Sequence, residues 1–383
     1  MTIREIAAAM KLDSAQMASR SAQIRNQALA SIARALAANQ DAVFSANAQD
    51  WEEAAQSNIP EAVVKRLKFG PQKLADVLKG IENLIELPDK VYETHFVREL
   101  DEGLTLVRES CPIGVIGVIF EARPDALVQI ASLCIKSGNC AILKGGSETK
   151  HTNKALFSLI YQAAVESGLP ENCLFQAQQR DEISELLACH ESVDLLIPRG
   201  SNAFVQHIMN HTRIPVMGHA DGICHIYVDK KFDIEKAVPI IIDAKTQYTA
   251  ACNAVETLLV HQDAVDALMP RLREAFCAHK IELRATADIA ERYGCSLAAD
   301  EDFETEYLDL ILSAKTVQTI DEAVLHINKY GSHHTDCIVT EDAEAAEYFM
   351  RMVDSAGVYQ NCSTRFSDGF RYGFGAEVGI STG

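Results

Sequence analysis

The sequence predicts an α/β protein in which two successive domains are each built around a parallel sheet, and two observations support this prediction. From residue 113 onward, short apolar runs alternate with helical segments in the order β-α-β, starting with IGVIGVIF and PDALVQIASLCIKSGN. Such an order makes successive strands parallel, with helices on both faces of the sheet. The alternation starts again at residue 222 with GICHIYVD and DIEKAVPIIIDAK, and 383 residues are enough for two or three domains.

The chain before these domains has a different character. About the first eighty residues predict helices, because Ala, Gln and Arg are frequent and apolar residues recur at three- and four-residue spacing. The segments VYETHFVREL and EGLTLVRES flank the turn Asp101-Glu102-Gly103 and predict a β-hairpin. In an α/β chain such a hairpin suits an arm that pairs with another subunit.

Each later element is predicted from an apolar run or a helical repeat. In the first domain the strands CAILKG, NCLFQA, VDLLIP and IPVMG alternate with the helices TKHTNKALFSLIYQAAVESGLP, DEISELLACH and SNAFVQHIMNHT. In the second domain the strands are ETLLVH, LDLILSAKTV, DCIVTED and GVYQN, and the helices are AVDALMPRLREAFCAH, TIDEAVLHINKYG and AEAAEYFMRMVDS. The Gly-rich tail FSDGFRYGFGAEVGISTG fits neither pattern.

Composition and charge argue against some classes of partner and of cellular location. A net charge of −19 argues against nucleic acid as a partner, because phosphate binding needs clustered Lys and Arg. The N-terminus lacks the apolar core of a secretion signal, and the longest apolar run, CPIGVIGVIF, is too short to span a bilayer. We therefore expect a cytoplasmic protein with no membrane segment.

Eleven cysteines are scattered singly without a C-x-x-C pair, so neither disulfides nor a metal site is expected. His207 with His211, and His333-His334 near Cys337, lack further ligands at a supporting spacing and are expected to be surface or packing residues. Five cysteines in apolar runs are expected to pack as small hydrophobes: Cys134, Cys140, Cys173, Cys224 and Cys337.

Cys252 differs from these cysteines, because it lies in the small, polar turn of AKTQYTAACNAVET, between a helical stretch and the strand-like TLLVH. A thiolate is a nucleophile, and its pKa falls at a helix N-terminus or beside donors and cations. Lys245, Thr246 and Asn253 are near in sequence. Cys252 is therefore the candidate nucleophile.

Two strand-to-helix turns are candidates for phosphate binding, since the dinucleotide fingerprint G-x-G-x-x-G is absent. LKGGSET contains Lys144, Gly146 and Ser147, and IPRGSNAF contains Pro198, Arg199 and Gly200. Backbone N–H groups at helix starts attract anions, and Gly allows close approach. Plain helix capping is the alternative explanation for both turns.

Several blocks together resemble the glutamate-5-semialdehyde dehydrogenases, also called γ-glutamyl phosphate reductases, a branch of the aldehyde dehydrogenase superfamily. These blocks include CPIGVIGVIFEARPD, DLLIPRGSNAF, AKTQYTAACNAVETLLVH and VYQNCSTRFSDGFRYGFGAEVGIST. The resemblance implies an aldehyde-dehydrogenase-like α/β fold with two Rossmann-like α/β domains and an oligomerisation hairpin or arm. It assigns an NADPH-binding domain to 1–90 and 108–222, a catalytic domain to 223–365, and the arm to 91–107 and 366–383.

The resemblance also implies a reaction, the NADPH-dependent reduction of L-glutamyl 5-phosphate to L-glutamate 5-semialdehyde and phosphate in proline synthesis. Cys252 would carry a thioacyl intermediate, and Asn253 would either bind substrate or shape the turn. A hydrolytic NAD(P)-dependent aldehyde dehydrogenase is the alternative, disfavoured because the ELGGK glutamate is missing and about His219 takes its place. His219 would then contact substrate or simply pack. A structural or regulatory protein that kept the fold is a third hypothesis.

By the same resemblance, anionic substrate groups are expected at Arg123 in FEARPD and at Arg365 in NCSTRFSDG. Arg365 would be supported by Ser363 and Thr364. A surface ion pair with Glu121 or Asp125 is the alternative for Arg123.

The dinucleotide is expected to run from Lys144, which would reach the adenosine ribose and favour a 2′-phosphate, past Gly146, Ser147, Pro198, Arg199 and Gly200. Glu306, or Glu304 if the alignment shifts by two, would hold the nicotinamide ribose. The expected partners are glutamate 5-kinase, which would supply the substrate, and further copies of the chain in a dimer or tetramer. Family members usually continue beyond EVGIST with a segment that contributes to the end of the fold and to subunit contact, whereas this chain ends at Gly383.

Overall fold

Helices form the start of the chain, as predicted. The computed structural model describes residues 1–57, 64, 66–121, 123–179, 181–218, 221–377 and 379–382. It divides into unit 1, Met1–Met217, and unit 2, Gly218–Gly383. The early helices of unit 1 are α1 (Ile3–Ala18), α2 (Ala22–Ala38), α3 (Gln40–Ala55) and α4 (Pro71–Glu86).

Side-chain caps determine where several of these helices begin. Thr2 and Glu5 form a capping box at α1, in which each side chain accepts a hydrogen bond from the other residue's backbone N–H. Asp50 on α3 caps the later helix α6 (Lys150–Glu166), since its carboxylate accepts the backbone N–H groups of His151 at 3.0 Å and Thr152 at 2.8 Å. The early helices are thereby joined to the α/β part of unit 1.

A four-stranded parallel sheet lies at the centre of unit 1, with the order β5-β4-β3-β6. Each residue of β3 is buried, as expected of an apolar strand inside a parallel sheet. The segment IPVMG forms only an isolated bridge from Val216 to Leu196, so the strand predicted there is wrong. The sheet strands are β3 (Val115–Phe120), β4 (Cys140–Gly145), β5 (Leu174–Ala177) and β6 (Leu195–Arg199), with helices α5 (Pro124–Lys136), α6, α7 (Glu182–Leu187) and α8 (Asn202–His211).

The predicted hairpin is confirmed. Strand β1 (Thr94–Asp101) pairs antiparallel with β2 (Leu104–Glu109), and Gly103 provides the positive φ of +76° in the turn. Every residue of both strands is exposed, including Val97 and Leu104. The role of this hairpin as an arm remains a prediction.

A seven-stranded parallel sheet forms unit 2, with the order β10-β9-β11-β8-β7-β12-β13. The strands are β7 (Cys224–Val228), β8 (Val255–His261), β9 (Glu282–Ala285), β10 (Ser296–Leu297), β11 (Ile311–Val317), β12 (Thr335–Val339) and β13 (Gly357–Gln360). The helices are α9 (Ile234–Thr246), α10 (Val265–His279), α11 (Ala287–Tyr293), α12 (Ile320–Tyr330) and α13 (Ala343–Met352). The predictions missed β9, α11 and β10. None of the helices within the described residues is long and apolar enough to cross a membrane.

Candidate functional site

Three loops that enter neighbouring strands meet at the amino edge of the unit 2 sheet. Gly222 precedes β7, Cys252 precedes β8 and Glu306 precedes β11. These strands are adjacent and parallel, with Cys224 opposite Val255 and Thr257 opposite Ser313, so their entry loops lie at the same edge. The prediction that Cys252 opens the second strand of a second domain is confirmed.

The backbone of Cys252 is packed against two residues that sequence reasoning did not assign to the site. A Cβ placed on Gly222 would lie 2.5 Å from Cys252 Cα and 2.6 Å from its carbonyl carbon, so only glycine fits there. Cys224 is buried, as predicted for a packing thiol, but its Sγ also donates a hydrogen bond to the Cys252 carbonyl oxygen at 3.3 Å. Together these contacts restrain the peptide that carries the candidate nucleophile.

Asn253 is buried and joins the Cys252 turn to the C-terminal segment. Its Nδ2 donates to the Ser367 carbonyl oxygen at 2.8 Å, and its Oδ1 accepts a hydrogen bond from Arg365 Nη1. These contacts are those of a residue that shapes the turn, the structural one of the two roles left open. A direct role for Asn253 in catalysis remains a prediction.

The segment predicted to bind substrate anions begins with a 3₁₀ turn, Thr364–Phe366. Ser363 caps the turn by accepting the Arg365 backbone N–H at 3.3 Å, and Arg371 donates to the Arg365 carbonyl oxygen at 2.8 Å. Thr364 Oγ1 and Arg365 Nε are buried and have no hydrogen-bond partner among the described residues. These two polar groups can therefore hydrogen-bond to a ligand, or to another group of the chain after a small rearrangement.

The electrostatics of Cys252 differ from the expectation of a lowered pKa. Burial, together with the Glu306 and Glu377 carboxylates, raises the pKa of the Cys252 thiol to about 11, against the lowering effects of its own backbone N–H and of Arg365. Lys245, expected as a nearby cation, instead contacts Glu256 Oε2 at 2.6 Å, and both side chains are fully buried. Arg365 is the positive group that acts on the thiol. Glu377, whose Oε2 accepts the Gly369 backbone N–H, is a further neighbour that sequence reasoning missed.

In unit 1 the residues predicted to bind the cofactor gather at the carboxyl edge of the sheet. Lys144 on β4 and Pro198 on β6 both lie opposite Ile119 of β3, and Gly146 with Ser147 follows β4 directly. The chain places β4 on one side of β3 and β6 on the other, and ligands of open α/β sheets bind where the strand order reverses in this way. The geometry therefore brings the predicted cofactor residues of unit 1 together.

Lys144 is buried, and its Nζ donates to the Gly145 carbonyl oxygen at 2.7 Å. Burial lowers the pKa of the Lys144 ammonium, and the Glu182 and Glu148 carboxylates partly offset this. Since an ammonium has three donors and Gly145 takes one, the group suits an anionic ligand.

The two turns predicted to attract phosphate already contain carboxylates of the chain. At the first turn Asp50 accepts the helix N–H groups of α6, and at the second Glu121 Oε2 accepts the Ser201 backbone N–H at 3.2 Å. The same Glu121 oxygen would lie 2.6 Å from a Cβ on Gly200. The N–H groups of His151, Thr152 and Ser201 therefore have acceptors within the chain, and phosphate binding at Gly146, Ser147, Arg199 and Gly200 remains a prediction.

Arg123 is exposed and precedes α5 at the same edge of unit 1. Of the two carboxylates considered as its surface partners, Asp125 pairs with Lys73 at 3.1 Å and Glu121 binds the Ser201 N–H. His219 lies outside the described residues. Within the described part of the chain, no cluster of three or more His, Cys, Asp or Glu side chains could hold a metal ion.

Two α/β units with parallel sheets, one of which holds a half-buried cysteine in a turn shaped by Asn253 and Arg365, define a two-domain α/β protein with a candidate nucleophile. Comparison with known proteins makes this class more specific. Residues 1–291 match the profile of the aldehyde dehydrogenase family. γ-Glutamyl phosphate reductases from Acetivibrio thermocellus and Pelotomaculum thermopropionicum are 50% and 52% identical over 382 residues, which cover 100% of this chain and 89% and 88% of those proteins.

The fold of a solved relative agrees. The crystal structure of γ-glutamyl phosphate reductase from Thermotoga maritima is 36% identical and matches with a TM-score of 0.97 over 100% of this chain and 93% of that one. The chain therefore belongs to the aldehyde dehydrogenase family and, within it, to the γ-glutamyl phosphate reductases, which makes it an oxidoreductase. The predicted aldehyde-dehydrogenase-like α/β fold is confirmed.

Proposed function

We propose that the chain catalyses the NADPH-dependent reduction of L-glutamyl 5-phosphate to L-glutamate 5-semialdehyde and phosphate in the cytoplasm, as the second step of proline synthesis from glutamate. The observation that carries this proposal is the Cys252 turn, built into a chain about half identical, over its whole length, to enzymes named for that reduction. The contacts of Gly222, Cys224 and Asn253 restrain that turn, as a positioned nucleophile requires.

In the first step Cys252 Sγ attacks the carbonyl carbon of the acyl phosphate. The C–O bond to phosphate breaks as the C–S bond forms, and a thioester remains on the enzyme. With a thiol pKa of about 11, Cys252 is mostly protonated at neutral pH, so it must lose its proton during attack. The departing phosphate oxygen needs a proton, and hydrogen phosphate leaves with the one that the thiol gives up.

In the second step the thioester carbon is reduced. NADPH, when bound, would supply the hydride for this reduction. The oxyanion of the tetrahedral thiohemiacetal on Cys252 then re-forms the C=O bond as the C–S bond breaks, and the released thiolate takes up a proton from water as the aldehyde leaves. Both steps place negative charge on the former carbonyl oxygen, and we assign the Cys252 backbone N–H as one donor to it.

Arg365 is proposed to hold a substrate anion. Its guanidinium can form two parallel hydrogen bonds with a carboxylate or phosphate, and its Nε has no partner among the described residues. Ser363 and Thr364 lie beside it, and Thr364 Oγ1 is a second group without a partner there. Arg123, exposed at the edge of unit 1, is proposed as a further substrate-binding residue, and His219 is proposed to contact substrate or to pack.

The residues present fit an NADPH dinucleotide at two points. Lys144 has donors for a 2′-phosphate at the carboxyl edge of the unit 1 sheet, where Gly146, Ser147, Pro198, Arg199 and Gly200 would line the path. Glu306 lies close enough to Cys252 to raise the pKa of the thiol, as expected of a residue that holds the nicotinamide ribose beside the reacting carbon.

The reverse reaction tests the proposal. With glutamate semialdehyde, wild-type protein should reduce NADP⁺ only when phosphate is present. Cys252→Ser should abolish this turnover and leave NADPH binding nearly unchanged, since the thiol contacts substrate only. Cys277→Ser, an exposed cysteine of the same unit, is the matched control and should keep full activity. Turnover without phosphate would instead support a hydrolytic aldehyde dehydrogenase.

Arg123→Lys separates substrate binding from cofactor binding. Lysine cannot reproduce the two-pronged guanidinium contact, so the KM for the acyl phosphate should rise more than the KM for NADPH. An equal loss in both parameters would contradict the assignment.

Association of copies is proposed to use the hairpin β1–β2, whose exposed apolar residues include Val97 and Leu104. We propose a dimer or tetramer, with glutamate 5-kinase as the source of the substrate. Val97→Lys with Leu104→Lys should yield monomers in sedimentation velocity, and an unchanged assembly would argue against the hairpin as the contact.

A further inference from the structure

The side chains of Lys245 and Glu256 form the most deeply buried ion pair within the described residues of unit 2. Nζ and Oε2 are 2.6 Å apart, and neither side chain is accessible to solvent. Burying two charges costs several kcal/mol per ion, and hydrophobic residues of similar volume are often at least as stabilising. Stability alone therefore gives little reason for a charged pair at this position.

The Lys245–Glu256 contact joins the two ends of the loop that carries Cys252. Lys245 lies in the last turn of α9, and Glu256 is the second residue of β8. The segment between the two elements, residues 247–254, contains Cys252. Contact between Lys245 and Glu256 thus fixes the separation between the helix that leads into the loop and the strand that leaves it.

The same pair reaches the loop that carries Glu306. Burial raises the pKa of Glu256, whereas Lys245 and the Tyr307 backbone N–H lower it, so this N–H lies near the carboxylate. Lys245 Nζ lies 5.8 Å from the centroid of the Tyr307 ring, and the Tyr307 hydroxyl is 2.7 Å from both Asp302 Oδ1 and Ser313 Oγ. Tyr307 follows Glu306 directly in the chain.

We infer that Lys245 and Glu256 are positioning residues that hold the Cys252 loop and the Glu306 loop in fixed relation to each other. The pair acts through Tyr307 on one side and through the ends of α9 and β8 on the other. This inference rests on the proposed function, which assigns Cys252 to the acyl group and Glu306 to the nicotinamide ribose. Lys245 and Glu256 would thus support catalysis without contacting either the acyl substrate or NADPH.

A double substitution separates positioning from stability. Lys245→Met with Glu256→Leu replaces the pair with apolar side chains of similar volume, which should preserve the thermal midpoint. Met and Leu cannot form the contact that joins the end of α9 to the start of β8, so kcat should nevertheless fall between about 10- and 100-fold, the effect of a misplacement near 1 Å. Lys245→Gln with Glu256→Gln allows a neutral hydrogen bond between the same two positions and should recover part of the loss.

Two further readouts need no turnover. The alkylation rate of Cys252 by iodoacetamide, followed on its peptide by mass spectrometry, should change in the Met/Leu variant, and NADPH should bind more weakly by fluorescence. Lys236→Met, which removes the exposed pair with Glu341 in the same unit, is the control and should change neither. If the wild-type protein lacked phosphate-dependent activity, the proposed function would fail while these readouts still tested the pair. A folded Met/Leu variant with wild-type kcat, wild-type alkylation and wild-type NADPH affinity would overturn the inference.

Discussion

The packing of Gly222 against the nucleophile yields a sharp prediction for Gly222→Ala. The new Cβ would lie 2.5 Å from Cys252 Cα and closer still to its carbonyl oxygen, whereas an ordinary contact begins at 3.4 Å, so the two backbones must separate by at least about 0.9 Å. Because the nearby atoms belong to the backbone, no side chain can turn aside to relieve the contact. A misplacement of this size lowers kcat by about 100-fold, equivalent to about 2.7 kcal/mol of transition-state stabilisation.

The assay is steady-state reduction of NADP⁺ with glutamate semialdehyde and phosphate, together with NADPH binding and thermal unfolding. We expect kcat to fall and the affinity of unit 1 for NADPH to change little. Gly80→Ala is the matched control, since a Cβ there meets nothing within 4 Å and its place inside α4 should gain about 0.5–1 kcal/mol of stability. A folded Gly222→Ala protein with wild-type kcat would refute the claim that this contact positions Cys252.

Three further predictions concern titration and capping. Because the Cys252 pKa is raised to about 11, its alkylation rate should rise with pH from 6 to 10 without a plateau, and Arg365→Met should slow it by removing the cation; a plateau near pH 7 would contradict this. Burial lowers the pKa of His326 to about 3, whereas the pKa of histidine in the unfolded chain is about 6.5. The neutral, buried His326 therefore contributes fully to the free energy of unfolding above pH 6.5, and this contribution is lost as the pH falls toward 3. His326→Leu should flatten the pH dependence of urea unfolding across that window, and an unchanged profile would count against it. Asp50→Ala should cost about 1–2 kcal/mol in the same assay by uncapping α6, and Asp50→Asn less; equal losses would argue against the cap.

Most of the fold could be predicted because its strands are continuous apolar runs. The β3 run IGVIGVIF and the β4 run CAILKG are buried along nearly their whole length, as parallel strands require. Strands β9 and β10 were missed for the opposite reason. Glu282–Ala285 alternates exposed and buried residues, and Ser296–Leu297 is two residues long, so neither forms an apolar run.

The site was less predictable than the fold, because its contacts depend on strand register and on distant residues. Cys252 was identified by its unusual turn and by family resemblance, yet Gly222 and Cys224 reach it only through the pairing of β7 with β8. Lys245 is near Cys252 in sequence, but its side chain contacts Glu256 on the far side of the loop. The short distance along the chain suggested that the Lys245 ammonium activates the Cys252 thiol, but packing directs this ammonium towards Glu256.

The sequence suggested a lowered pKa for the Cys252 thiol, and this prediction was wrong for a related reason. Sequence shows the donors near a thiol but not how deeply the thiol is buried. Here burial outweighs the combined lowering effects of Arg365 and the backbone N–H. Proton loss during attack, rather than a preformed thiolate, is the chemistry that this environment supports.

The most direct test of the account is to identify the residue that carries the acyl group. Wild-type protein mixed with glutamyl 5-phosphate without NADPH, quenched in acid and digested, should yield a glutamyl thioester on the Cys252 peptide that disappears when NADPH is added before the quench. An adduct on another cysteine, or no adduct in a preparation that turns over fully, would contradict the claim that Cys252 is the nucleophile.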